Sequence, residues 1–256
     1  MEGQRKLNKK AWSWAFYDWA NSGFATTVMA GFFPIFFKSY WAGDLDPAQS
    51  TFAIGSINSF VGLIIAISAP ILGALADVGR VKKRFLLFFA LIGILSTGYL
   101  FFIPESSWKL AILFYGLGVI GFSGGNIFYD ALIIDISKPN ERNRASALGF
   151  SLGYLGGGLL FLLNVLMYTN PEWFGLSSAV DAVLWSFLSV ALWWFIFSFP
   201  LFINIKETKS VKQDINSSII KTAFTNLYQT ARSIKKYKSA AIFLLAYFLY
   251  MDGVDT

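Results

Sequence analysis

The chain contains no cysteine and no histidine. The first absence excludes disulfides and thiolate metal sites. The second removes the commonest general base and metal ligand, and with it any HExxH-type zinc pair. No metal site or cofactor is expected. Charge is also scarce. Asp, Glu, Lys and Arg make up 14% of the residues, against about 25% in a soluble domain. What fills the space is apolar: 55% hydrophobic residues, of which aromatics are a large part at 18% of the chain.

Several apolar runs approach 20 residues, enough to cross a bilayer core of about 30 Å. Six complete spans are expected at about 11–37, 52–76, 85–103, 109–134, 145–169 and 182–205, and a seventh begins near 239. The first apolar segment is too long and too polar for a cleaved signal peptide, so it is expected to stay in the protein. This divides the chain into a six-helix bundle (1–205), a basic connection (206–238) and the start of a further span (239–256). The fold class is an all-α polytopic membrane protein.

The net charge of +6 would suit nucleic acid, but its distribution points to a lipid bilayer as partner and not to nucleic acid. All of the 21 Lys and Arg except Lys38 and Lys109 fall before span one or after spans two, four and six. By the positive-inside rule the N-terminus and the even-numbered connections are cytoplasmic. The opposite connections carry Asp44, Asp46, Glu105, Glu172 and Asp181, with Trp41, Trp108 and Trp173 placed like an interfacial belt. After span six, Phe224, Leu227, Ala231 and Ile234 recur at helical spacing beside Lys221, Arg232, Lys235 and Lys236. This is the pattern of a basic amphipathic helix on the membrane surface.

The spans differ in polarity. Most of the polar and glycine residues lie in spans one, two, four and five, whereas three and six are mainly aliphatic and aromatic. Polar spans are therefore expected at the centre and apolar ones at the periphery. Span one includes WSWAFYDWANSGFATTV, where a carboxylate in lipid costs roughly 2.5–3.5 kcal/mol. Asp18, Asn21, Ser22 and Ala25 fall at i, i+3, i+4 and i+7 and should share one helix face. Asp18 lies eight residues after Lys10 and Asp130 eight before Lys138. At 1.5 Å per residue both acids sit about 12 Å from the same membrane edge. At about 6 Å apart, with an effective dielectric near 20, they would repel by about 3 kcal/mol. One role for the pair is to hold a proton and release it during transport. The alternatives are a structural role, hydrogen-bonded to Asn21, Asn126 or Tyr129, and direct contact with a solute. Asp252 in span seven is a candidate third acid.

Two further stretches are motif-like. GALADVGRVKKR (73–84) ends span two. It resembles the loop motif of the major facilitator superfamily through Gly73, Asp77, Gly79, Arg80 and Lys82, although Val78 stands where a basic residue is usual and one residue between acid and glycine is missing. The resemblance implies a cytoplasmic charge network that locks one transport state; on charge alone, Arg80 to Arg84 would only set topology. GFSLGYLGGG (149–158) repeats Gly149, Gly153 and Gly157 every fourth residue, a close-packing face. It also resembles the facilitators' antiporter-type motif, with Tyr154 in place of its proline.

The most specific resemblance is to the vacuole-effluxer-like branch of that superfamily, related to the autophagy-linked amino-acid effluxer. FYDWANSGFATTV, ERNRASALGFSLGYLGGG and FLLAYFLYMDGVDT carry it in order along the chain. It implies a twelve-span secondary transporter, of which six spans and the start of a seventh are expected here. It also implies a small solute such as an amino acid, alternating access, and a need for a second half or self-association to complete the cavity. Asp18, Asn21, Asn58, Asn126, Tyr129 and Asp130 are the candidate cavity residues. The proton is the candidate coupling ion. Short loops suit a prokaryotic cell membrane; a eukaryotic protein of this kind would be vacuolar. Two other classes stay open: an intramembrane aspartyl-type hydrolase, in which paired acids activate water, and a non-functional truncated gene product.

Overall fold

The computed structural model describes residues 7–79 and 81–206, with isolated positions between 225 and 246. Arg80, Asp252, most of the basic connection and most of the expected seventh span lie outside the described residues. Within them the chain forms six long apolar helices, each able by length and composition to cross a membrane.

The first crossing, Lys9–Trp41, is compound. It begins as α1 (Lys9–Gly23), widens into π-type turns over Phe24–Phe32, returns to one α turn in α2 (Phe33–Phe36), and widens again over Phe37–Trp41. The wide turns carry i→i+5 hydrogen bonds, such as Ala42 N–H to Phe37 O at 2.7 Å. The other crossings are α3 (Pro47–Gly79), α4 (Lys82–Tyr99), α5 (Trp108–Ile136), α6 (Arg142–Thr169) and α7 (Ala179–Asn204). Each matches an expected span, extended by a few polar residues at its ends. Local chemistry sets several of those ends. The Asn8 side chain caps α1 by accepting from Ala11 N–H at 2.8 Å. Ser178 caps α7 through Asp181 N–H, and the Asp181 carboxylate favours that positive helix end. Gly175, at φ 69°, reverses the chain after Phe174, a conformation that favours glycine.

Packing follows from where side chains are small. α3 lies mainly on α5; α5 packs on α4; α4 reaches α7; and α7 leads back to α1 and α6. α1 also touches α5, so it is the inner member of the ring. At the α4–α5 crossing, Gly121 meets the Gly93 backbone so closely that no side chain fits between them. Gly93 also receives the fully buried Trp194 ring from α7, and Gly124 receives Phe89. In a bilayer, where neighbouring lipid is as apolar as leucine, such close backbone approach supplies much of the association energy.

The expected ordering of centre and periphery holds for the polar first crossing and α5, which are well buried, but not for the other four helices. Apolar α4 and α7 are more buried than α3 and α6, which carry more polar and glycine residues. The reason is steric. Gly93, Ala90 and Gly98 on α4 and Ala191 on α7 let those helices nest against their neighbours. On α3, by contrast, Gly55, Gly62 and Gly73 face open space, as does Gly158 on α6.

Candidate functional site

The polar residues of α1 do not all face one neighbour. Asn21 is buried and turns toward α5, donating Nδ2–H to Asn126 Oδ1 at 2.7 Å. Asp18 and Ser22 turn toward α6. Ser22 Oγ–H points to Asp18 Oδ1 at 3.4 Å, and a methyl group on Gly153 would come within 2.9 Å of both the Asp18 carboxyl carbon and Ser22 Oγ. Ala25 and Asp18 are half-buried, while Asp130 is exposed on α5. Among the described residues neither acid has an ion pair, and neither is hydrogen-bonded to Asn21, Asn126 or Tyr129.

A buried aromatic block supports these acids. Trp14 stacks on Tyr129 with centroids 4.2 Å apart and planes 4° from parallel, and its Nε1–H donates to Tyr129 O at 2.8 Å. Tyr17 leans on the same ring at 5.3 Å. The hydroxyls of Tyr17 and Tyr129 are both buried without a hydrogen-bond partner, as is Asn21 Oδ1. Such unmet polar groups in an apolar interior cost free energy.

The glycines of α6 make room for α1. Gly149 sits against the Trp14 ring and the Tyr129 hydroxyl, Gly153 against Asp18, and Gly157 against the Ser22 backbone. Thr26 Oγ–H crosses to Gly157 O at 3.1 Å. Gly156, which the every-fourth spacing misses, is the closest fit of all, since its face lies on the Trp19 backbone and ring. The adjacent Gly-Gly-Gly run is its signal in the sequence: neighbouring glycines let two adjacent faces of one helix approach other backbones. Tyr154 is strongly exposed on the far side of α6. Asn58, on α3, is also exposed and lies beside the Tyr115 hydroxyl.

At one end of the bundle Lys82 gathers charge. Its ammonium pairs with Asp77 of α3 at 2.8 Å and Asp135 of α5 at 3.2 Å, and donates to Ala131 O. Asp135 is a member that the loop motif alone does not contain. Gly73 is half-buried on α3, four residues before Asp77, and Gly79 ends that helix. Lys83 donates to the last carbonyls of α7, Phe202 O at 2.6 Å and Ile205 O at 2.7 Å.

Six membrane-length helices agree with what comparison with known proteins finds. The family described as vacuole effluxer Atg22 like matches residues 6–140 and 133–256. The chain belongs to this family. A protein of Bacillus subtilis (strain 168) described as an uncharacterized MFS-type transporter, YxiO, is 38% identical over 255 residues, covering 98% of this chain and 59% of that protein. Autophagy-related protein 22 of Yarrowia lipolytica is 21% identical over 288 residues, covering 83% of this chain and 48% of that one. The chain spans about half the length of the curated relatives it matches. No solved structure matches it. For a member of the Atg22-like family, the α1–α5–α6 contact is the best-defined polar feature inside the described bundle.

Proposed function

We propose that this chain supplies one six-helix half of a facilitator-type secondary transporter that moves a small solute, with amino acids the first class to test. Asp18, Asn21, Ser22, Asn126, Tyr129 and Asp130 form the solute and proton path, with Asn58 on its rim. The observation that carries this reading is the pair Asp18 and Asp130. They stand on touching helices, at equivalent depth by residue count, and neither has an ion pair among the described residues. Acids at such depth ordinarily face a water-filled path or a bundle interior. Solute binding between two helical halves, with rocking between inward- and outward-open forms, is the expected mode of action.

The second half, or a second copy, covers the open faces of α3 and α6. On α3 the exposed strip includes Gly55, Asn58, Ser59, Gly62 and Ala66. An amide and small residues on an exposed face suit a protein or water neighbour better than lipid. The Lys82–Asp77–Asp135 cluster stands on the cytoplasmic side and holds α3, α4 and α5 together in one transport state. Gly73 and Gly79 lie on the same stretch of α3 as Asp77. The membrane is a prokaryotic cell membrane, with the N-terminus inside.

The test is uptake of labelled amino acids into proteoliposomes that contain the protein as its host makes it, with and without an imposed pH gradient. Gradient-driven uptake is expected to fall at least about tenfold in Asp18→Asn or Asp130→Asn, which is about 1.4 kcal/mol or more of lost coupling. Solute exchange without a gradient should persist in both. Full gradient-driven uptake in both variants removes the pair from the coupling path.

A further inference from the structure

At the end of the bundle opposite Lys82, a cleft of about 370 Å³ opens between the first crossing, the end of α6 and the start of α7. It lies roughly 20 Å along the helix from Asp18, about fourteen residues at 1.5 Å each, so it is separate from the acids of the transport path. The volume falls within the range of small-molecule sites. Four aromatic rings, Phe32, Phe36, Tyr40 and Tyr168, share the cleft with one carboxylate, Glu105.

The rings are ordered by mutual contact. Phe36 and Tyr40 stack at 4.6 Å, and Phe32 meets Tyr168 at 5.9 Å with planes inclined at 44°. The wide turns at Phe24–Phe32 and Phe37–Trp41 set the directions in which the first-crossing rings point. Glu105 is held at the mouth by its chain neighbour. Ser106 has φ 61°, a conformation few non-glycine residues adopt, and its N–H donates to Tyr40 O at 3.1 Å. The strained residue ties the connection carrying the carboxylate to the aromatic wall.

Charges nearby leave that carboxylate open. Among the described residues Glu105 has no ion pair. Lys38 is not part of the lining, and Lys109 lies over the Trp108 ring at 5.6 Å. Asp181, beside the lining residue Val180, accepts from the Ser178 hydroxyl and adds negative charge. No cation lines the cleft to receive a carboxylate or phosphate.

We propose that this cleft is a binding site for an amphiphilic organic cation, its ammonium group held by the aromatic faces and Glu105 and its apolar body lying against Ile35 and Val183. Ring quadrupoles attract ammonium groups, most strongly where water is excluded. The same chemistry can reach the cleft as a soluble quaternary amine or as the choline headgroup of a lipid.

The test is equilibrium binding of labelled benzyltrimethylammonium to the protein in nanodiscs of phosphatidylglycerol. Saturable binding is expected, weakened about three- to tenfold by Glu105→Gln and by Tyr168→Leu, consistent with cation–π and ion-pair energies near a membrane surface. Glu105 is exposed, so its exchange for Gln leaves packing intact, and raised salt should weaken binding to the parent more than to that variant. In phosphatidylcholine nanodiscs, reduced binding assigns the site to the lipid headgroup, and unchanged binding assigns it to a soluble amine. The proposal is overturned by absent saturable binding, by a Glu105→Gln variant that binds as the parent does, or by equal binding of an uncharged isostere. None of these outcomes depends on transport through Asp18 and Asp130.

Discussion

Trp14 ties α1 to α5 in two ways, through a face-to-face stack and through a hydrogen bond to the backbone of the ring it stacks on. Trp14→Phe keeps an aromatic ring but removes the donor and part of the overlap. It should cost about 2 kcal/mol, roughly one buried hydrogen bond plus one aromatic pair, read as a lower melting temperature in nanodiscs. Gly153→Ala acts on another contact. Its new methyl group must displace the Asp18 carboxyl or Ser22, at about 1–3 kcal/mol for overpacking. If Asp18 serves transport, uptake should fall by more than the melting shift alone explains. The acids themselves are legible in sequence, because a carboxylate inside an apolar run stands out and residue counting gives its depth. The stack is not, since Trp14 and Tyr129 read alike whether they meet lipid or each other. Nor is the division of the α1 polar stripe between Asn21 and Asp18, because spacing gives a face without saying how many helices share it.

At the scale of elements, the six crossings are readable because each is a long apolar run ended by charge, glycine or proline. The wide turns in the first crossing are not. Phe24–Phe32 has good composition for an ordinary helix, and nothing in its spacing announces an i→i+5 bond. Beyond Phe24 the α-helical wheel assigns faces progressively wrongly, so the sequence does not show that Phe32, Phe36 and Tyr40 share one cleft. The α4–α5 crossing offers the clearest element-level test. Gly121 touches the Gly93 backbone, so a branched side chain there must separate the helices rather than turn aside. Gly121→Val should therefore lower stability by about 3 kcal/mol or more, at the upper end for overpacking, and lower the yield of folded protein. Gly158→Val, which faces open space, should change little in the same melting assay.

For the molecule as a whole, the open faces of α3 and α6 have a testable fate. Because the chain has no cysteine, single cysteines at Phe60 and Tyr154 would report each face without background from this chain. In the assembled protein a spin label on either cysteine is expected to collide with dissolved oxygen, which concentrates in lipid, more slowly than one at Leu95, which is exposed on α4. Equal rates would mean that lipid, not protein, covers these faces. One further consequence concerns the order in which the molecule is made. Besides capping α1, the Asn8 amide donates to Ile136 O, 128 residues later in the chain. At about 5–20 residues per second a ribosome needs roughly 6–25 s to bridge that interval. Throughout that time α1 lacks this clasp, and Asp18 is not yet flanked by α5 and α6. The contact that fastens the start of α1 to the end of α5 can therefore form only after the fourth crossing has been made.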